Sequence, residues 1–216
     1  MNEFNKKGFN LSLENGKALL KIADLAVNEN QFGIASSLNI LAAEEIIKAA
    51  LILIKDFFPE YNIFDFHKIF ENHAVKHSLI KDHILMFDDF FKKDKEFLEK
   101  NKPLYDIIEK LPSTFRDSIK EDAKILYQTK SLSEEYNFSS EEISSAISWC
   151  EKANSLKNRG FYVDLKGSKW LSPSDFTKEQ YEVEFRYTRT LLNWLQALQH
   201  ILGTPGLKEF VKNNPQ

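Results

Sequence analysis

The feature that most constrains the fold is a long apolar segment from about Gln31 to Phe58, followed by Pro59. As a helix it would carry apolar residues on nearly every side: Leu38, Ile40, Leu41, Ala42, Ala43, Ile46, Ile47, Leu51 and Ile52. A helix of that kind must be covered by other elements, which predicts the central helix of a bundle. Its most apolar run, Ile46 to Ile54, is too short and too closely bounded by charge to span a membrane, so no membrane partner is expected.

Helical spacing predicts further helices on both sides of this segment. They run over about Ser12–Asn28, Phe66–Lys100, Thr114–Thr129, Ser139–Lys157 and Thr177–Leu202, with a short one between Pro103 and Pro112. Two of them open on capping-box patterns, Ser139 with Glu142 and Thr177 with Gln180. Gly160 is expected to end the helix that begins at Ser139.

The segment from Phe161 to Leu171 differs from the rest of the chain. Phe161 to Leu165 is expected to be extended, Lys166 to Ser168 to form a turn, and Trp170 with Leu171 to form a second short strand or a tucked loop. The sequence thus predicts an all-α bundle of six or seven helices with a short extended insertion near residues 161–171. We expect one domain over residues 1–216, with a tail at about 204–216.

Composition narrows the class of protein. Hydrophobic residues make up 43% and charged residues 28%, and only seven Gly and six Pro occur in 216 residues, which favours a folded helical chain. The single cysteine, Cys150, excludes an internal disulfide and fits a reducing cytoplasm. Residues 1–10 lack the apolar core of a signal peptide, so a cytoplasmic location is expected. A net charge of −3 excludes a general attraction to nucleic acid but leaves room for a local basic patch.

Three charged residues interrupt the apolar helix: Glu44, Glu45 and Lys48. Unpaired charges in a core are costly, so these side chains should meet partners or line a cleft. Glu44 and Lys48 are spaced to pair along the helix. Two interpretations remain open here, a buried structural ion-pair network and a functional site.

The next helix carries histidines on its apolar stripe. The stripe comprises Phe66, Phe70, His73, His77, Ile80, Ile84, Phe87 and Phe91, with Lys76 beside it and His67 and His83 to either side. A metal pair at His73 and His77 is conceivable, but the chain lacks the zinc and di-iron helix motifs, so no metal and no cofactor are predicted. Either these are core histidines, or one transfers protons near neutral pH beside a lysine that stabilises an oxyanion.

A third set of polar and aromatic residues lies at 157–173. Arg159 can grip a phosphate bidentately, and Tyr162 and Trp170 can stack on bases. The alternative is a packed loop that anchors two helices. Cys150 falls on the inward spacing of its helix and is interpreted as a core residue. The chain contains neither a Gly-rich phosphate loop nor a Gly-x-Ser-x-Gly motif.

These three sets, in this order, resemble the AbiV family of bacterial abortive-infection proteins. The residues that carry the resemblance are Ala42-Ala43-Glu44-Glu45-Ile46-Ile47-Lys48, then Phe70-x-x-His73-x-x-Lys76, then Arg159-Gly160-Phe161-Tyr162-Val163-Asp164 with Pro173. The family is grouped with the HEPN superfamily of all-helical, usually dimeric domains, many of which are RNA-cleaving toxins in phage defence. HEPN ribonucleases usually carry an Arg-x4-6-His motif, and no arginine here has a histidine at that spacing.

The resemblance implies an abortive-infection effector that cleaves RNA without a metal and halts growth of infected cells. Its partners would be an RNA substrate, a phage-encoded protein trigger and a second copy of the chain. His73 would be the general base, Lys76 and Arg159 would stabilise the phosphorane, and Glu44, Glu45 and Lys48 would orient them. The remaining candidates for substrate binding are His77, Tyr162, Asp164 and Trp170. The competing hypotheses are a non-catalytic HEPN module that sequesters a protein or nucleotide, and a di-metal helical enzyme.

Overall fold

The computed structural model describes residues 1–57, 70–82, 85 and 140–202. Its elements are helices α1 (Glu3–Asn28), α2 (Phe32–Phe57), α3 (73–82), α4 (Ser140–Phe161) and α5 (Lys178–Leu202), strands β1 (Asp164–Lys166) and β2 (Lys169–Leu171), and a short 3-10 helix (Pro173–Asp175). The described chain is therefore mostly helical, which confirms the all-α class.

Some predicted elements lie outside the described residues. These are the helices at Thr114–Thr129 and between Pro103 and Pro112, the tail at 204–216, and Phe66, His67, His83, Ile84, Phe87 and Phe91. The chain divides into two compact units, residues 1–81 with 146–216, and residues 82–145. The single-domain prediction stays a prediction, and the site described below lies wholly in the first unit.

Helix α2 is the central element of the first unit, as its sequence predicts. It packs against both α1 and α5, and Ile40, Ala42, Ala43, Ile46 and Ile47 are fully buried in the single chain. A second copy of the chain is therefore not needed to cover α2. The homodimer stays a prediction, but the apolar surface of α2 no longer argues for it.

Helix α1 begins nine residues before the predicted start at Ser12. Asn2 is its N-cap, with a side chain that accepts a hydrogen bond from the Asn5 backbone N–H. Ser12 is instead buried inside the helix. Phe9 is the one buried residue of the first turns, so apolar periodicity does not reveal them. They are held by Asp56 at the end of α2, which accepts hydrogen bonds from the backbone N–H of Asn2 and the side chain of Asn5.

The end of α4 and the hairpin that follows it correct two predicted boundaries. Gly160 lies inside α4 rather than ending it. Glycine is required there because a side chain would overlap the Gly33 carbonyl and the Ser37 hydroxyl of α2. The extended insertion is confirmed, but it begins at Asp164 because α4 continues through Phe161. Gly167, with φ of +63°, makes the turn between the strands.

The start of α5 confirms a predicted capping box. The Thr177 backbone N–H donates to Gln180 Oε1 at 3.1 Å, and the Gln180 N–H donates to Thr177 Oγ1 at 3.3 Å. Two backbone donors that a helix end would otherwise leave without partners are thus satisfied reciprocally. The cap fixes where α5 begins and hence which of its residues face α2.

A buried carboxyl group joins α5 to α2. Glu184 is 7% exposed, and its Oε2 accepts a hydrogen bond of 2.7 Å from the Ser36 hydroxyl. Burial raises the pKa of Glu184 to about 7, although the bond from Ser36 and the nearby Trp149 indole act in the opposite direction. The folded protein therefore binds a proton at Glu184 more tightly than the unfolded chain does, for which a glutamate pKa of about 4.3 is typical.

Glu184→Gln should make the free energy of unfolding less dependent on pH. Because the folded-state pKa is raised, the wild type loses stability as pH rises from about 4.5 through about 7. The amide carries no charge, so the variant should be more stable than the wild type at pH 8, by about 1–3 kcal/mol, and close to it at pH 5. Thermal unfolding at both pH values measures the difference. Glu182→Gln, at a half-exposed ion pair with Lys178, is the control; an equal response of the two variants would contradict the assignment.

Candidate active site

The centre of the site is the carboxylate of Glu44, a residue of α2 that is only 2% exposed. Its two oxygens are contacted by nitrogen atoms from α3 and α4. Oε1 lies 3.0 Å from His77 Nε2 and 3.0 Å from Lys157 Nζ, and Oε2 lies 2.5 Å from His73 Nδ1 and 3.3 Å from Lys76 Nζ. We call these five side chains the Glu44 cluster.

The cluster keeps Glu44 ionised. Burial alone raises the pKa of this carboxyl group, but the hydrogen bonds from His77, Lys157 and His73 together outweigh burial, and the net pKa lies far below the ordinary glutamate range. The carboxylate is therefore a fixed negative charge at any pH at which the protein would work. Such a charge can hold neighbouring donors in fixed positions.

Local structure at the start of α3 positions three of the five side chains. Asn72 precedes this helix, and its Oδ1 accepts hydrogen bonds from the backbone N–H groups of Ala74 and Val75. The cap places His73, Lys76 and His77 in the first turn and a half of α3. Lys76 and His77 follow His73 by three and four residues, spacings that share a face of a helix, and all three side chains contact Glu44.

Lys157 reaches the cluster from the inward face of α4. Ala146, Cys150, Ala153 and Lys157 are all buried and follow helical spacing. The backbone carbonyl of Lys157 accepts a hydrogen bond of 2.7 Å from the buried Ser37 hydroxyl of α2. This bond and the close contact of Gly160 with Gly33 hold the end of α4 against α2.

His73 is the one member of the cluster with a large exposed fraction, 48% of its side chain. Its Nδ1 lies 2.5 Å from Glu44 Oε2 and 3.2 Å from Lys157 Nζ. An Nδ1 that carries a hydrogen and donates it to the carboxylate cannot also accept from an ammonium group, and the shorter contact favours the bond to Glu44. Nε2 is then the proton-accepting atom, and it has no hydrogen-bond partner within the ranges that the structure describes.

The cluster carries an excess of positive charge. One carboxylate faces the ammonium groups of Lys76 and Lys157, so with neutral imidazoles the net charge is one positive unit. That excess favours an anion at the exposed side of the cluster. It also weighs against a divalent cation, which would lie against two ammonium groups. Residues 1–57, 70–82, 85 and 140–202 contain no group of three His, Cys, Asp or Glu side chains suited to a metal ion.

Glu45 and Lys48 lie apart from the Glu44 cluster. They form an ion pair with each other, partly exposed, and the expected pair between Glu44 and Lys48 is not formed. The reason is rotational, because successive residues of a helix point about 100° apart. Glu44 faces α3 and α4, whereas Glu45 lies next to Gly16 of α1.

Arg159 is likewise not brought into the cluster. Its guanidinium lies over the Phe176 ring, 5.2 Å from the ring centre. Its Nε is buried and has no hydrogen-bond partner among the residues that the structure describes. The neighbouring Gly160 packs on Gly33, and so does the backbone of Pro173. This part of the motif therefore has a packing role that the structure explains directly.

The three hairpin candidates also lie outside the cluster. Tyr162, Asp164 and Trp170 are exposed, and Asp164 Oδ1 accepts a hydrogen bond from the Leu165 backbone N–H. Cys150 is buried, and burial raises the pKa of its thiol to about 12, which agrees with a core residue rather than a nucleophile.

Lys157 is the member of the cluster that the sequence interpretation passed over. It lies two residues before Arg159 in the same motif, and it occupies an inward position of α4 where an apolar residue is expected. A lysine at such a position is the signal that would have identified it. The partner of a buried lysine is a carboxylate, and Glu44 is the buried carboxylate nearest to it.

The fold and the cluster define an all-helical protein with a buried carboxylate that holds two lysines and two histidines. A family model described as AbiV, of the HEPN_AbiV type, matches residues 4–193. The chain therefore belongs to the AbiV family of HEPN proteins, which points to a role in abortive infection. A search of curated proteins and a search of solved structures each found no match. Among the described helices, none has the length and apolar character needed to cross a membrane.

Glu44→Gln should destabilise the protein strongly, because it leaves the buried ammonium groups of Lys76 and Lys157 without their counter-charge. The expected loss is about 3–5 kcal/mol in the free energy of unfolding, measured by chemical denaturation. Glu45→Gln removes a carboxylate with one lysine partner at a partly exposed position. It should cost about 1 kcal/mol or less. Equal losses in the two variants would contradict the special position of Glu44.

Proposed function

We propose that the protein is an abortive-infection effector that cleaves RNA without a metal ion, using His73 as its general base. The observation that carries the proposal is the exposed imidazole of His73, whose Nδ1 is held by the buried carboxylate of Glu44. A carboxylate in that position fixes the ring and its tautomer and stabilises the imidazolium that forms during proton transfer. Nε2 is left as a proton acceptor at the rim of the cluster.

The reaction that fits these groups is attack of a ribose 2′-hydroxyl on the adjacent phosphate. Nε2 of His73 takes the hydroxyl proton, the 2′-oxygen forms a bond to phosphorus, and the bond from phosphorus to the 5′-oxygen breaks. The leaving oxygen takes a proton from solvent, and the products are a 2′,3′-cyclic phosphate and a 5′-hydroxyl. No water molecule is needed as a nucleophile, because the substrate supplies its own 2′-hydroxyl.

The lysines of the cluster would stabilise the negative charge that develops on the phosphate. Each ammonium has three N–H donors, and the contacts to Glu44 engage one donor of Lys76 and one of Lys157. In this proposal Lys157, rather than Arg159, stabilises the phosphorane together with Lys76. Donors that are fixed before the reaction stabilise such charge without reorganisation.

A non-catalytic binding module is the alternative function. The observation that favours it is the burial of both lysines, whose side chains are 5% and 9% exposed. Buried, mutually satisfied charges are also what a structural ion-pair network contains. On this hypothesis the protein halts growth by sequestering a protein or nucleotide, and His73 contributes only to the network.

His73→Gln separates the two functions. The side chain is half-exposed and the glutamine amide can still donate to Glu44, so folding should be nearly unchanged. Loss of the base should lower RNA cleavage by about 10²–10⁴-fold, measured with purified protein, and abolish growth arrest in infected cells. Glu71→Gln, at an exposed position near the start of α3, is the control. A folded His73→Gln protein that still arrests infected cells would favour sequestration.

Substitutions at Lys157 and Arg159 test which cation acts on the phosphate. Lys157→Gln should lower the rate of cleavage per folded molecule, because it removes a donor next to His73. Arg159→Gln should lower the melting temperature through the lost contact with Phe176 and leave the rate per folded molecule close to that of the wild type. Cleavage assays corrected for the folded fraction distinguish the two effects. The opposite pattern would return Arg159 to the catalytic role.

A further inference from the structure

The two-stranded hairpin has two chemically different faces. Its strands pair antiparallel, with Leu165 opposite Trp170 and Lys166 opposite Lys169. Neighbouring residues of a strand point to opposite faces. One face therefore carries the Leu165–Trp170 pair. The other carries Lys166 and Lys169 directly across from each other near the turn, and Asp164 opposite Leu171 further from it.

The apolar face of the hairpin is uncovered. The exposed fractions are 67% for Trp170 and 51% for Leu165, and Tyr162 and Val163 just before β1 are exposed to a similar degree. Exposed apolar side chains that lie together mark interaction surfaces more often than single ones do. An indole that is two-thirds exposed adds little to the stability of a fold. Contact with a binding partner would explain its presence.

The lysine pair indicates the charge of that partner. Like charges opposite each other on neighbouring strands destabilise a sheet. The turn at Gly167 and Ser168 leaves Lys166 and Lys169 close together at the tip of the hairpin. An anion between or beside the two ammonium groups would remove the repulsion. The hairpin therefore presents an aromatic surface on one face and positive charge on the other, and a flexible strand that crosses its tip can meet both.

We propose that the hairpin is a binding platform for single-stranded RNA, with Trp170 stacked on an unpaired base and Lys166 and Lys169 on flanking phosphates. Aromatic stacking combined with backbone neutralisation is the chemistry of single-strand recognition. A duplex would satisfy only the lysines, because its bases are already stacked and paired. A purely apolar protein groove would satisfy only Trp170 and Leu165. The inference rests on the proposed function for its substrate class, RNA.

The hairpin is anchored on the same helix as the Glu44 cluster. Gly160 before the hairpin and Pro173 after it both pack on Gly33 of α2. Glu44 belongs to that helix as well.

The test is binding of a labelled 12-nucleotide single-stranded RNA to the 216-residue His73→Gln protein, which removes cleavage from the measurement. Adding Trp170→Ala should weaken binding about tenfold or more. Replacing Lys166 and Lys169 by glutamine should weaken binding and make it less sensitive to salt. Lys178→Gln, an exposed lysine paired with Glu182, is the control and should change neither. A duplex of the same sequence should bind more weakly than the single strand.

The outcomes separate this inference from the proposed function. Unchanged RNA affinity in the Trp170 and lysine variants, or equal affinity for duplex and single strand, would overturn the platform. Hairpin variants that keep RNA affinity but lose growth arrest would point to a protein partner and overturn it as well. If the wild type cleaves no RNA but the hairpin variants lose affinity, the platform stands and the proposed nuclease function fails.

Discussion

The buried carboxylate of Glu44 is the interaction on which the rest of the first unit depends. Taking a carboxylate and two ammonium groups out of water costs several kcal/mol per ion, which their attraction repays only when the geometry is good and the remaining donors are satisfied. The structure meets this condition by bringing α3 and α4 to the same two oxygens of one α2 residue. The Asn72 cap, the Ser37 bond and the contact between Gly160 and Gly33 all serve to place those donors.

The same bonds connect stability with the proposed chemistry. A general base must be held in one tautomer and one orientation, and a buried, permanently ionised carboxylate does both for His73. A core of apolar residues would have been at least as stable but would have oriented no imidazole. On the proposed function, the charge in the middle of an apolar helix is accounted for by the imidazole that it positions at the rim. The lysines balance the carboxylate and supply positive charge beside the one exposed ring.

The sequence predicted the central helix and the need of the charges in α2 for partners, because these follow from periodicity and from the cost of burying charge. The apolar stripe of α3 stays a prediction, since Phe66, Ile84, Phe87 and Phe91 lie outside the described residues and Phe70 is exposed. It did not show that Glu44 rather than Glu45 turns inward, since an all-round apolar helix gives no reference face from which to tell them apart. Lys157 was missed for a different reason: it continues the inward spacing of Ala146, Cys150 and Ala153, but the resemblance drew attention to Arg159. Gly160 was taken for a helix end because glycine often ends helices, whereas here it allows two backbones to approach.

The hairpin differs from the cluster in the kind of explanation it allows. Every member of the Glu44 cluster has a reason inside the chain, since each satisfies a neighbour that would otherwise be buried without a partner. Trp170, Lys166 and Lys169 have no such reason, because an exposed indole adds little to the stability of the hairpin and two opposed lysines lower it. These three side chains lie together on a hairpin whose two ends are anchored on the central helix. Because the fold does not need them, we explain them by a ligand. The two proposals therefore give the two sites different tasks: the cluster carries out the reaction, and the hairpin binds the strand on which it acts.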